Sequence, residues 1–106
     1  MPYQSTRGKS KEINSSTAIL KGIAEDGGLY VPTNLPKINK ELKDLASYSY
    51  QELAFYILSL FFQEFSKEEL KAAISEAYDN SFSSPYITPI TKVEGAYFLE
   101  LYHGPT

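Results

Sequence analysis

The chain has 106 residues, 42% hydrophobic and 14% aromatic, the composition of one globular domain with a modest core rather than of a disordered segment. Its 13 acidic residues outweigh 10 basic ones spread along the chain, for a net charge of -3, which argues against a nucleic-acid partner. No Cys and a single His exclude a disulfide framework, a thiolate site and a zinc site, so no metal is expected.

Tyr3 to Thr6 reads as a short extended segment, followed by an exposed turn at Arg7-Gly8-Lys9-Ser10. Two readings fit Ser5, Thr6 and Arg7: a polar N-terminal loop, or a contact for an anion or partner, since hydroxyls and a guanidinium fork suit phosphate or carboxylate. Asn14, Ser15 and Ser16 offer caps for a helix running through Thr17 to Ala24, with Ile19, Leu20 and Ile23 on one stripe. Asp26-Gly27-Gly28 ends it, and Leu29-Tyr30-Val31 is a short strand closed by Pro32. Gly27-Gly28 is not followed by the Lys-Ser or Lys-Thr pair and helix of a phosphate loop, so it reads as a helix stop and turn.

Pro32 to Pro36 is a turn-rich connector. Lys40 to Ala46 predicts one or two helical turns with Leu42, Leu45 and Ala46 inward. Ser49 with Glu52 makes a capping box for a helix from Tyr50 to about Phe65, apolar over so much of its circumference that it is expected at the centre of the core. Ser66 with Glu69 makes a second box for a helix through Leu70, Ala73, Ile74, Ala77 and Tyr78, ended by Asp79-Asn80-Ser81. Leu53 to Phe62 is the longest apolar stretch, far short of the roughly 20 residues of a membrane span, and the N-terminus lacks the pattern of a signal peptide. A cytoplasmic protein with no membrane contact is therefore expected.

Ile87 to Val93 and Ala96 to Tyr102 predict a hairpin around Glu94-Gly95. Its second arm alternates Tyr97, Leu99 and Leu101 against Phe98, Glu100 and Tyr102, which puts Glu100 and His103, three residues apart, on opposite faces. A small enzyme built on that pair is disfavoured on this ground, and no nucleophile or metal set completes a mechanism. With no repeat or dividing linker, the expected architecture is a single α+β domain over residues 1–106, mainly helical, with short strands and a C-terminal β-hairpin.

The hairpin runs straight into His103-Gly104-Pro105-Thr106. Such a turn sets a direction for something downstream, so the chain is expected to be the front piece of a longer protein. His103 suits a phosphate contact, a group that positions the turn, proton transfer, or a turn histidine bonded to backbone. Gly104 and Pro105 shape the path of the chain. Thr106 either offers its hydroxyl to substrate or cofactor or caps the next stretch of chain.

Three segments, Ser5 to Gly8, Ile19 to Pro32 and Leu99 to Thr106, occur in the order and spacing of the N-terminal region of the threonine synthases, and the chain resembles that family. The likeness is greatest to the branch with a substantial N-terminal domain. It implies a complete enzyme of the fold type II pyridoxal-phosphate class, which converts O-phospho-L-homoserine and water to L-threonine and phosphate. It also implies that the Schiff-base lysine lies about four residues past Thr106, where the cofactor's electron sink is anchored.

On that resemblance no catalytic or cofactor-binding residue lies within the chain, the fragment alone is inactive, and its partners are the remaining catalytic domains of the same protein. His103, Gly104, Thr106, Arg7, Ser5 and Thr6 become the substrate-proximal candidates. Apolar surface is expected around the hairpin, where those domains would sit. The alternative is a free-standing protein-interaction module that resembles the enzyme's front end and uses the hairpin edge for a partner.

Overall fold

Two serine–glutamate boxes start the longer helices. Ser49 Oγ accepts from Glu52 N at 3.1 Å while Ser49 N donates to Glu52 Oε2 at 2.7 Å, opening a helix over Tyr50–Phe61. Ser66 and Glu69 repeat the arrangement at 2.8 and 3.1 Å and open a helix over Lys67–Ala77. Each box satisfies two amide donors that have no partner inside the helix.

The computed structural model describes residues 1–105, so Thr106 lies outside the described residues. In chain order the elements are β1 (Tyr3–Ser5), α1 (Ser15–Lys21), β2 (Tyr30–Pro32), α2 (Leu42–Leu45), α3 (Tyr50–Phe61), α4 (Lys67–Ala77), β3 (Ile90–Val93) and β4 (Ala96–Leu99). Helix α3 packs on α4, and the strands form two separate antiparallel pairs, β1 with β2 and β3 with β4. This is the expected α+β architecture, mainly helical, with a C-terminal hairpin. No helix among the described residues is long and apolar enough to cross a membrane.

Asn14 caps α1, its Oδ1 accepting from Thr17 N at 3.0 Å. The helix stops at Lys21, three residues before the expected Ala24, because Gly22 takes φ +70°, a backbone that a helix cannot continue through. Ile23 then joins a β-bridge to Leu29. Within α1 it is Ala18 and Ser15 that are buried, whereas Ile19 and Leu20 are exposed. In α2, a single turn, only Leu45 points into the core; Leu42 and Ala46, expected inward, are exposed because one turn offers one inward position.

Helix α3 ends at Phe61 rather than Phe65. Phe62 leaves helical dihedrals while its amide still donates to Leu58 O, and the released Glu64 carboxylate reaches Ser15 Oγ and Ser16 N at the start of α1. An acidic group at the positive end of a helix is favourable, so this contact ties the α3–α4 turn to the N-terminal segment. Contrary to the expectation of a fully central helix, no residue of α3 is fully buried. The core consists of Tyr3, Ala18, Ala24, Leu45, Leu70, Ile74 and Ile87. An apolar groove of about 350 Å³ stays open beside α3 and α4, lined by Ile19, Leu58, Phe62, Leu70 and Ile74 among others.

The hairpin register pairs Ile90 with Leu99 and Val93 with Ala96. Glu94 (φ 50°) and Gly95 (φ 82°) make the two-residue loop, both in the positive-φ conformation of a type I′ turn. The ladder is shorter than expected at both ends. Ile87 has φ 64° and Pro89 has no amide to donate, so β3 cannot begin before Ile90. Beyond Leu99 one more amide, Glu100 N, donates to Pro89 O at 3.0 Å before the chain turns away.

Candidate functional site

The predicted candidates gather in two clusters. In the first, β1 carries Ser5 to the loop that follows α1. Ser5 Oγ donates to Asp26 Oδ1 at 2.6 Å and accepts from Arg7 N at 3.1 Å. The Asp26 carboxylate also accepts from Gly28 N and Lys9 N, each at 2.9 Å, and Asp26 N donates to Ser10 Oγ at 3.2 Å. These donors, the Ser5 hydroxyl foremost, hold the Asp26 carboxyl down at about 2.

Thr6 and Arg7 complete that cluster. Thr6 Oγ1 accepts from Leu29 N at 3.0 Å, and Thr6 N donates to Leu29 O at 2.9 Å. Arg7 Nη1 donates to the Asp26 carbonyl at 2.9 Å from an otherwise exposed side chain. The two motifs that stand apart in the sequence, Ser-Thr-Arg-Gly and Asp-Gly-Gly, are therefore one knot. Gly28 is buried because a Cβ there would lie 2.1 Å from Ser5 Oγ and 3.1 Å from Arg7 N. That space is filled by side chain and backbone, so the Gly27-Gly28 pair is no phosphate cradle.

The second cluster corrects the expectation for Glu100 and His103. His103 Nε2 and Glu100 Oε1 are 2.9 Å apart, on one side of the chain. The strand period that would separate them ends with β4 at Leu99, and the irregular backbone beyond it folds the two side chains together. Ser83 Oγ lies 2.7 Å from His103 Nδ1, and Ser83 N donates to the His103 carbonyl at 2.9 Å. The imidazole is thus held by side chains, not by backbone alone.

Glu100 accepts further from Thr91 Oγ1 and from Tyr102 Oη, the latter at 2.5 Å. Thr91, Tyr102 and His103, in that order, hold its carboxyl down at about 2, and the same contact pushes the Tyr102 phenol up. The Tyr102 and His103 rings stack with centroids 4.6 Å apart. Gly104 sits against Phe82, whose ring edge would be 3.4 Å from a Cβ placed there.

Ser5, Thr6 and Arg7 belong to one cluster and His103 and Gly104 to the other, and among the described residues no hydrogen bond or ion pair joins the two. Sequence reasoning missed Asp26 and Ser83. Asp26 carried a signal, an acidic residue just before two glycines whose amides can turn back to it. Ser83 carried none, since its role depends on a partner 20 residues away.

The hairpin itself is exposed on both faces, with Ile90, Tyr97, Phe98, Leu99 and Leu101 all more than half accessible. This is the apolar surface expected around the C-terminal arm.

Residues 2–78 match the family model for the threonine synthase N terminus. Over 98% of its length the chain is 38% identical to threonine synthase from Schizosaccharomyces pombe, of which it covers 21%. It is also 38% identical to the Pseudomonas aeruginosa threonine synthase, covering 23% of that protein. The crystal structure of threonine synthase from yeast superposes with a TM-score of 0.82 at 37% identity, over 98% of this chain and 22% of that one. The structure of threonine synthase from Brucella melitensis with pyridoxal phosphate bound does so with a TM-score of 0.81 at 33% identity, over 99% and 23%. The chain spans about a fifth of the length of the relatives it matches. With a family match over residues 2–78 and the fold of solved threonine synthases at 33 and 37% identity, the chain belongs to the threonine synthase N-terminal family.

Proposed function

We propose that this chain serves as the N-terminal domain of a pyridoxal-phosphate-dependent threonine synthase that converts O-phospho-L-homoserine and water to L-threonine and phosphate in the cytoplasm. The observation that carries the reading is the match along nearly the whole chain to the front of proteins that bear this name. The side chains gathered around Glu100 and His103 do not fit the cofactor by themselves. Hydrogen bonds around Glu100 and His103 come from Ser83, Thr91 and Tyr102, with no lysine among them to form an imine. When bound, pyridoxal phosphate supplies the electron sink for the reaction, and its anchor belongs to the remaining domains of the enzyme.

The domain's own part is to frame and to aim. The Ser5–Asp26 knot fixes the N-terminal loops, and the exposed hairpin faces offer apolar surface for the catalytic domains. His103 and Gly104 stand where the hairpin hands the chain on, and they, with Thr106, are the residues this reading assigns to the substrate. Arg7 presents a cation beside the knot, its backbone N–H held by Ser5 Oγ while the preceding residue, Thr6, is tied to Leu29.

The reading is tested by expressing the chain together with the several hundred residues that follow it in its gene and supplying O-phospho-L-homoserine with pyridoxal phosphate. Equal amounts of threonine and phosphate are expected from the longer protein and none from the 106-residue chain. A longer protein that binds the cofactor and releases no phosphate from this substrate would overturn the assignment.

A further inference from the structure

The hydrogen bonds at the end of the hairpin determine more than a contact. Glu100 accepts from Thr91 Oγ1 and Tyr102 Oη as well as facing His103, which keeps it a carboxylate with acceptor oxygens only. The ring nitrogen that faces it at 2.9 Å, Nε2, must therefore carry a proton in every charge state of His103 that keeps the contact. In the neutral ring the lone pair then sits on Nδ1, 2.7 Å from Ser83 Oγ, and the Ser83 hydroxyl donates to it. Ser83 N donates to the His103 carbonyl at the same time, and Phe82 packs on Gly104. The loop after α4 thus grips the His-Gly segment at three neighbouring points.

We infer that Ser83 and Glu100 are positioning residues for His103: Glu100 fixes the neutral imidazole as its Nε2–H tautomer, and Ser83 locks the ring and the turn behind it against the loop after α4. They act through His103, in the way that outer partners of a functional histidine fix its tautomer and orientation. Their bearing on catalysis rests on the reading of the chain as part of a threonine synthase, whereas the tautomer and its two partners belong to this chain alone.

The presence of one His makes the test direct, because the imidazole spectrum contains a single ring. The 106-residue chain is labelled with nitrogen-15 in its histidine and measured over a pH series, the neutral ring being scored where the spectrum no longer changes with rising pH. The expected spectrum has a protonated Nε2 and an unprotonated Nδ1 shifted by an accepted hydrogen bond. Ser83→Ala is expected to move the Nδ1 resonance to the position of an unbonded nitrogen, and Ser83→Thr, which restores a hydroxyl, to return it.

Glu100→Ala is expected to give averaged nitrogens, as the two tautomers mix, while Glu100→Gln, which still offers a carbonyl oxygen, keeps the original tautomer. Amide spectra of each variant are compared away from the hairpin, so that only folded proteins are scored. A wild-type ring that is averaged or protonated on Nδ1 overturns the inference, as does a Glu100→Ala spectrum identical to wild type. An Nδ1 resonance unmoved in Ser83→Ala removes Ser83 from the role. None of these readings involves cofactor or substrate, so failure of the proposed enzyme function would leave them unchanged and is recognised separately.

Discussion

Ser5 Oγ donates to Asp26 Oδ1 at 2.6 Å, a contact between residues 21 positions apart that binds the end of β1 to the loop after α1. Ser5 is buried, only 3% exposed, and its oxygen also takes the Arg7 amide. Ser5→Ala leaves that amide without its acceptor and takes one of the two donors from Asp26 Oδ1, where Gly28 N remains. It is expected to cost about 1 to 3 kcal/mol, read as a lower urea midpoint with an unchanged slope.

Acid should weaken the fold through its depressed carboxylates, Asp26 and Glu100 foremost. Asp26 and Glu100 both lie at about 2, below the ordinary 3.8 and 4.5, so their folded-state contacts contribute fully above the unfolded values. That contribution is lost as pH falls from about 4 towards 2, because the unfolded chain takes up these protons first. Urea midpoints measured across this window should fall with pH. The fall should be shallower in Asp26→Asn and in Glu100→Gln, each of which removes one titrating group.

Two glycines should respond differently to the same change. Gly28→Ala brings a Cβ to 2.1 Å from Ser5 Oγ and 3.1 Å from the Arg7 backbone nitrogen, so the knot must open; a loss of about 1 to 3 kcal/mol is expected. Gly8 has open space around it and only its φ of +68° to satisfy, so Gly8→Ala should cost about 1 kcal/mol. Circular dichroism should show the Gly8 variant folded under conditions where the Gly28 variant has begun to unfold.

The capping boxes give an independent check on the helical pair. Ser66→Ala removes the acceptor for Glu69 N and should cost about 1 kcal/mol, with the loss of amide protection centred on the first turn of α4. Ser49→Ala should do the same for α3.

Signals that act within a few residues were legible in the sequence. Ser49 with Glu52, Ser66 with Glu69 and the Glu94-Gly95 turn each specify their geometry locally, and each stands where the residues place it. The boundaries that shifted were set from a distance or by backbone strain: Glu64 is drawn to Ser15 and Ser16 across the fold, and Gly22 ends α1 with a positive φ. The Glu100–His103 pair was misjudged because strand alternation was carried past Leu99, where the ladder stops. The half-covered state of α3 could not be read from its apolar residues, since periodicity gives the width of an apolar face and not what lies on it.

The central claim is that this chain is the front of a cofactor enzyme and holds no cofactor anchor itself. Its most direct test is an absorbance titration of pyridoxal phosphate against the 106-residue chain and against the longer gene product, followed by borohydride reduction. The expected result is an imine band in the longer protein alone, made permanent by reduction and lost when the lysine that the proposed reading puts about four residues past Thr106 is changed to alanine. No imine band in the longer protein, or an undiminished band in that lysine variant, would contradict it.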